Sequence, residues 1–286
     1  MRDVGRWAIA AALLAVLAGC SESTDDRPVP STHVPSSTPT AAARSLSPPP
    51  LTSAPPASSS SRPAKPTHTS AAASAKTPSA KHRTGQALPL GFGTGSARQV
   101  ITVVAPSTGS TQAVLQAWRK VTGGWQRVGP RVPAWVGSDG LSKHPSESRS
   151  ATPIGSFTLT QAFGHDPNPG TSLRYVHTTP ADWWISQPGP LYNTRQRCSS
   201  GCGFTRGDPN EHLFYETPYY DYAAVIDYNT RNAPGGVRQG AGSAFFLHVT
   251  VDQPTAGCVS IAKDELVRIL RWLTPTRHPR ILIGTV

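Results

Sequence analysis

Ser243-Ala-Phe-Phe-Leu-His248-Val-Thr-Val251, continued by Asp252-Gln-Pro-Thr-Ala-Gly-Cys258-Val-Ser260, is the stretch on which the reading of this chain turns. Its first half alternates well enough to be a strand, with Ala244, Phe246 and His248 on one face. A histidine fixed at a strand end is what a general base requires. The second half is a turn of small residues that delivers a cysteine ten positions after the histidine. Small residues let a carbonyl group approach the main chain closely. A free thiol ionises near about pH 8.5, and a neighbouring imidazolium or a helix N-terminus lowers that by several units. The N–H groups of Gly257 and Cys258 are candidate donors to the oxyanion that thiol attack creates. On spacing alone the same residues also describe a small buried thiol and a satisfied core histidine.

Working outward, Ala262 to Leu273 carries Leu266, Ile269, Leu270 and Leu273 at helical spacing. Ser260 is the expected cap, Asp264 and Glu265 suit the positive end of the dipole, and Pro275 stops the helix. This places a helix start directly after Cys258. Upstream the pattern is β. Val100 to Ala105 is an apolar strand, and Val114 to Arg119 and Trp125 to Val128 form a hairpin across Gly123-Gly124. Val132 to Val136, Ser156 to Thr160 and Tyr222 to Tyr228 read as further strands, the last pairing near the His248 strand. The fold class is mainly β with one clear C-terminal helix.

Ahead of this domain lie two segments of different character. Arg2 and Arg6 precede an apolar run from Trp7 to Ala18, too short to span a bilayer and followed by Leu17-Ala18-Gly19-Cys20. Those four residues resemble the lipobox of bacterial lipoproteins, which implies a signal peptide over 1–19, acylation of Cys20 and an extracytoplasmic, membrane-anchored chain. Residues 20–96 are dominated by Ser, Thr, Pro and Ala, with too few apolar side chains to offset the entropy of ordering, so they read as a disordered tether. Fully extended at roughly 3.1 Å per residue, such a tether reaches on the order of 200 Å. The ordered domain is expected over 97–286.

The chain has four cysteines and a formal charge of +11. With Cys20 assigned to lipid, Cys198 and Cys202 are close enough in a small-residue loop to form a disulfide in an oxidising space. A metal reading of that pair needs further ligands, of which His212 is the nearest in sequence. Cys258 is left without a partner. The basic balance favours anionic lipid head groups or wall polymers, and export argues against nucleic acid as a partner. Asp182-Trp183-Trp184 and Tyr219 to Tyr222 can line a groove or pack in the core; Trp183, Trp184 and Tyr222 are the candidate substrate contacts. Glu211 and His212 precede an expected strand; either can reach the site, but the structural role is the favoured reading.

Thr255-Ala256-Gly257-Cys258-Val259 and the upstream Thr152-Pro153-Ile154-Gly155-Ser156-Phe157 resemble the signature segments of the L,D-transpeptidase (YkuD-like) family. The resemblance covers roughly 99–284. It is nearest to the lipoprotein or secreted members of high-GC Gram-positive bacteria, which share the elements at Pro167 to Gly170, Asp182 to Trp184 and Ala256 to Ser260. It implies a YkuD-like β-sandwich with Cys258 as nucleophile and His248 as base. It further implies Thr255 as the residue whose carbonyl holds the imidazole, and Gly257 with Cys258 at the oxyanion site. The implied reaction joins peptidoglycan stem peptides in 3→3 cross-links without metal, nucleotide or other cofactor, with the chain acting as a monomer. Three departures stand out: a short His-to-Cys interval, Val249 after the histidine, and Ala256 and Ser260 where the family often has polar or basic contacts to substrate. They keep two alternatives open, an inactive wall-binding lipoprotein and an L,D-carboxypeptidase that transfers the acyl group to water.

Overall fold

The computed structural model describes residues 85–286. The first three strands, β1 (Gln99–Ala105), β2 (Gln112–Val121) and β3 (Gly124–Trp135), form an antiparallel meander whose first turn follows Ala105 and whose second is Thr122-Gly123. Two short strands, β4 (Leu141–Ser142) and β5 (Thr152–Pro153), lead to the long β6 (Gly155–Gly164) and to β7 (Arg174–His177). Then come β8 (Asp182–Ile185), β9 (Thr194–Arg197), β10 (Glu211–His212), β11 (Ala223–Ile226), β12 (Phe246–Val249) and β13 (Val259–Ile261). The helix α1 (Lys263–Trp272), a 3-10 turn at Pro275–Arg277 and β14 (Arg280–Thr285) complete the chain. The domain is mainly β with a single α-helix among the described residues.

The principal sheet runs β11-β12-β13-β3-β2-β1-β14-β6-β7, and β11 also pairs with β6. Eight strands therefore close into a ring, with β7 attached along β6. A stack of two separate sheets was expected, and continuous hydrogen bonding around the ring stands in its place. The C-terminal strands flank the meander, β14 pairing parallel with β1 along one edge and β13 antiparallel with β3 along the other. Alternation in β1 shows how sequence divides the two sides. Ile101, Val103 and Ala105 enter the main core, whereas Val100 and Val104 join an outer cluster with Trp118, Trp125 and Leu282. Residues before Ala97, assigned by composition to the tether, belong to that outer cluster through Leu90, and Gln86 exchanges two backbone hydrogen bonds with Trp125.

Two expectations about the strands need correction. Val132 to Val136 is not a separate strand: β3 continues through Gly129-Pro130, where Gly129 takes φ +65° and the register against β2 shifts. The His248 strand is shorter than Ser243 to Val251, because Ala244 adopts φ +55° and breaks the extended run before Phe246.

The helix covers its expected apolar face, with Leu266, Ile269 and Leu270 fully buried in the main core. Fully burying a leucine or isoleucine side chain contributes about 1.5–3 kcal/mol, so this face fixes α1 to the barrel. Its start is displaced, however. Ala262 occupies the N-cap position with no side-chain cap, and β13 lies between Cys258 and the first turn. Ser260 is a strand residue. The positive end of the helix therefore begins at Lys263, and the thiol does not sit at it.

A satellite sheet, β10-β8-β9, packs against the outside of the ring. Between them lies a second apolar cluster that includes Phe163, Trp184, Leu213, Tyr220, Phe246 and Cys258. Phe246 is its centre, meeting the rings of Phe163, Trp184 and Tyr220 edge-on at 5.0, 4.9 and 5.4 Å.

Candidate active site

β11, β12 and β13 lie side by side, and their register sets the site. His248 on β12 is flanked by Ala223 on β11 and Ser260 on β13. Paired residues on adjacent strands point to the same face, so a small methyl group and a hydroxyl are the lateral neighbours of the imidazole. Strand alternation sends Leu247 and Val249 into the barrel core and Phe246 and His248 to the opposite side, as the sequence pattern implied. Tyr219 and Tyr220 pack edge-on against the imidazole at 6.0 and 5.6 Å.

His248 is buried, and its Nδ1 lies 2.8 Å from the carbonyl oxygen of Val249. A carbonyl only accepts, so Nδ1 carries the hydrogen and Nε2 keeps the basic lone pair. Burial lowers the imidazole pKa to about 4, opposed by the bond to Val249. The ring is thus neutral near pH 7, with its lone pair on Nε2. This corrects the role expected for Thr255: the carbonyl that holds the imidazole is that of Val249, while the Thr255 carbonyl accepts the N–H of Ser138 at 2.9 Å.

Thr255 instead shapes the nucleophile turn. Its hydroxyl donates to the Cys258 carbonyl at 2.7 Å and accepts the N–H of Gly257 at 3.0 Å. The Gly257 N–H is consequently engaged and does not point at an oxyanion position, which leaves the Cys258 N–H as the remaining candidate from that pair. Gly257 has φ +136°, and a Cβ there would stand 2.8 Å from Phe245 Cε1. Only glycine fits this turn. The Cys258 carbonyl also accepts from Thr152 Oγ1 at 3.1 Å, so the Thr-Pro segment and the cysteine turn meet at the Cys258 backbone.

The Cys258 thiol is buried, donates to the Ala244 carbonyl at 3.3 Å and accepts the Phe246 N–H at 3.3 Å. Burial drives its pKa well up; the charge of Glu211 adds to that and the Phe246 N–H opposes it. The lowering expected from an imidazolium and a helix end is reversed. At rest the thiol and the imidazole are both neutral.

Both groups line one open cleft of about 770 Å³. Ala256, Thr255 and Ser260 line it as well, and Ala256 is exposed at its rim. The Ser260 hydroxyl is buried without a hydrogen-bond partner. The candidate substrate contacts among the aromatic residues lie elsewhere. Trp184 is buried in the second cluster with its Nε1–H on Asn193 Oδ1 at 2.9 Å, and Trp183 is buried and stacked on His212 at 3.9 Å. Tyr222 packs on the main core and sits under the Lys263 ammonium at 5.4 Å. Their neighbour Asp182 is a structural anchor, fully buried and held by Arg195 and Arg197.

Cys198 and Cys202 form the expected disulfide, with Cα atoms 5.8 Å apart. His212 turns its Nε2 to the Pro180 carbonyl at 2.7 Å and takes no part with them. Among the described residues, no three His, Cys, Asp or Glu side chains come together as a metal site, and no helix is long and apolar enough to cross a membrane. Cys20 and the signal segment lie outside the described residues.

The sequence favours a structural role for Glu211, yet Glu211 lines the cleft. β10 pairs with β8 so that Glu211 faces Trp184 in register, and Tyr220 donates its O–H to Glu211 Oε2 at 2.6 Å. Glu147, Asp208 and Glu216 also line the cleft, and Arg149 is the one arginine or lysine there. Nothing in the local sequence marks these carboxyls, which come from three separate loops.

No protein-family model, no curated protein and no solved structure matches the chain.

Proposed function

We propose that this protein is a cysteine acyltransferase of the bacterial cell wall, an L,D-transpeptidase with a ring-closed variant of the YkuD-like fold. The observation that carries the reading is the convergence at Cys258. The threonines of both family-like segments, Thr152 and Thr255, donate to the Cys258 carbonyl, and the thiol shares a cleft with an imidazole whose basic Nε2 is free. In the proposed reaction His248 Nε2 takes the thiol proton as Sγ attacks the carbonyl carbon of the third, L-centred residue of a tetrapeptide stem. The oxyanion that forms takes the Cys258 N–H. As the C–N bond breaks, the imidazolium returns the proton to the departing D-alanine amine, leaving an acyl-thioester. A side-chain amine of a second stem then accepts the acyl group. Because the free thiol is neutral, proton removal accompanies attack rather than preceding it.

Acylation of Cys20 and the Ser/Thr/Pro/Ala-rich segment would hold the domain at the outer face of the cytoplasmic membrane with reach into the wall. Replacing Cys20 by Ala then moves the protein from membrane to medium; unchanged fractionation removes the anchor.

The test uses the purified full-length protein and tetrapeptide-bearing muropeptides. Release of D-alanine with formation of cross-linked dimers, both abolished in Cys258→Ala, is the expected result. Identical muropeptide profiles for wild type and variant would overturn the reading. D-alanine release without dimers would assign the chain to the carboxypeptidases. Intact mass after exposure to a carbapenem gives an independent readout, a covalent adduct on Cys258.

A further inference from the structure

The wall of the cleft is acidic on a chain whose formal charge is +11. Glu147, Asp208, Glu211 and Glu216 face it, and Arg149 stands 4.0 Å from Asp139, which draws off part of its charge. Such a concentration of one sign in a concave site favours a ligand of the other. A second, independent feature points to a bound polar ligand. Ser260 is 1% exposed, its hydroxyl has no partner, and it lies in the cleft wall beside His248, its register partner on the same face. A buried hydroxyl without a hydrogen bond costs about 1–3 kcal/mol, which an incoming polar group would relieve.

Glu211 is the carboxyl held most firmly there. Tyr220 fixes its Oε2, while Oε1 makes no hydrogen bond to any described residue. The Tyr220 ring in turn packs on His248 at 5.6 Å, so the carboxyl and the imidazole share one rigid neighbour. We propose that Glu211 is the acceptor-side base of this cleft: it holds the ammonium group of the incoming amine and takes the proton that must leave before the nitrogen attacks the acyl group on Cys258. The inference rests on the acyl-enzyme reading given above and adds to it the group that selects an amine over water.

The proton count closes. An ammonium gives one proton to the Glu211 carboxylate, and the freed amine nitrogen attacks the thioester carbon. His248 Nε2 takes the second proton from nitrogen, the C–S bond breaks, and the imidazolium returns that proton to the departing sulfur. The products are an amide, a neutral thiol, a neutral imidazole and a protonated Glu211, which loses its proton to solvent. Burial, opposed by the Tyr220 hydrogen bond and assisted by Glu216 and Glu147, raises the Glu211 pKa to about 7. That is a better match to an ammonium proton at neutral pH than the imidazole, held near about 4. Neutralising Glu211 also removes the charge that opposes ionisation of Cys258.

The experiment measures, for the full-length protein acylated by a disaccharide tetrapeptide, the ratio of amide to hydrolysed product with two amines. Nα-acetyl-lysine carries an ammonium at pH 7, and methoxyamine is uncharged there. In Glu211→Gln the ratio with Nα-acetyl-lysine falls at least about tenfold, at the low end of general-base effects. The ratio with methoxyamine stays within about twofold, since no proton has to be removed before attack. Glu211→Asp recovers part of the loss and serves as the second variant should the amide fail to fold. Equal ratios in wild type and both variants, or equal losses with both amines, would overturn the assignment. Absence of any acyl-enzyme in the wild type would instead strike the acyltransferase reading itself.

Discussion

Thr152 Oγ1 donates to the Cys258 carbonyl at 3.1 Å while accepting the N–H of Gly137 at 2.8 Å. One hydroxyl thus ties the cysteine turn to a loop more than a hundred residues earlier in the chain. Thr152→Val keeps the shape and removes both bonds, leaving the Gly137 N–H unpaired in a buried position. We expect a loss of about 1–3 kcal/mol, read as a lower urea midpoint, together with slower carbapenem acylation. A midpoint equal to the wild type would remove Thr152 from the site's support.

Cys258 is a buried thiol whose pKa lies well above the ordinary range, and His248, which lines the same cleft, is neutral above about pH 4. Alkylation by iodoacetamide should therefore be slow at neutrality and keep rising with pH up to 9, in proportion to the small thiolate fraction. A plateau between about pH 6 and 8 would mean a standing thiolate–imidazolium pair and would contradict this description.

Gly257→Ala places a methyl group against Phe245, which is 5% exposed and packed edge-on against Tyr228 at 5.2 Å, so the ring has little room to yield. The positive φ adds backbone strain of about 1–3 kcal/mol. Misplacing the nucleophile by about 1 Å is enough to cost on the order of a hundredfold in acylation rate. Ala256→Ser, one residue earlier and exposed, should change stability by no more than about 0.5 kcal/mol. Similar adduct-formation rates for the two variants would argue against a strict turn.

Glu211 and His248 give opposite pH dependences of stability. The Glu211 pKa is raised from 4.5 to about 7, so the folded state binds more protons, and stability present below pH 4.5 is lost as pH rises through about 7. The His248 pKa is lowered from 6.5 to about 4, so stability present above pH 6.5 is lost as pH falls toward 4. Glu211→Gln removes only the first effect and should raise the melting temperature at pH 8 more than at pH 5. A uniform shift at both pH values would show that Glu211 does not titrate in this range.

Local sequence made the β2–β3 hairpin, the helix face and the disulfide legible. Val100 to Ala105 has a strand's composition, Gly123-Gly124 a turn's, and Leu266, Ile269, Leu270 and Leu273 one face of a helix. The alternation of Phe246 and His248 was readable for the same reason, since period two survives over a short strand. Which strands would meet was not readable. The closure of β11 on β6 and the placement of β13 between Cys258 and the helix depend on pairings between distant segments, and a period-two pattern carries no partner's name. Trp183 and Trp184 show a second limit: an aromatic pair looks the same in a groove and in a core until the sheet that covers it is known. Glu211 shows a third. A lone carboxyl before a short strand acquires meaning only when Tyr220 and the other acidic loops arrive around it from elsewhere in the chain.

His248 lies inside the ring, where β12 has β11 along one edge and β13 along the other. No free main-chain edge is left there for an extended peptide to join as an added strand. On the proposed reading, a peptide that reaches the thiol is gripped by side chains and loop backbone, and its selection would depend on charge and shape in the loops around Cys258. On that reading, substitutions in those loops should change the preference for a peptide without touching the strands.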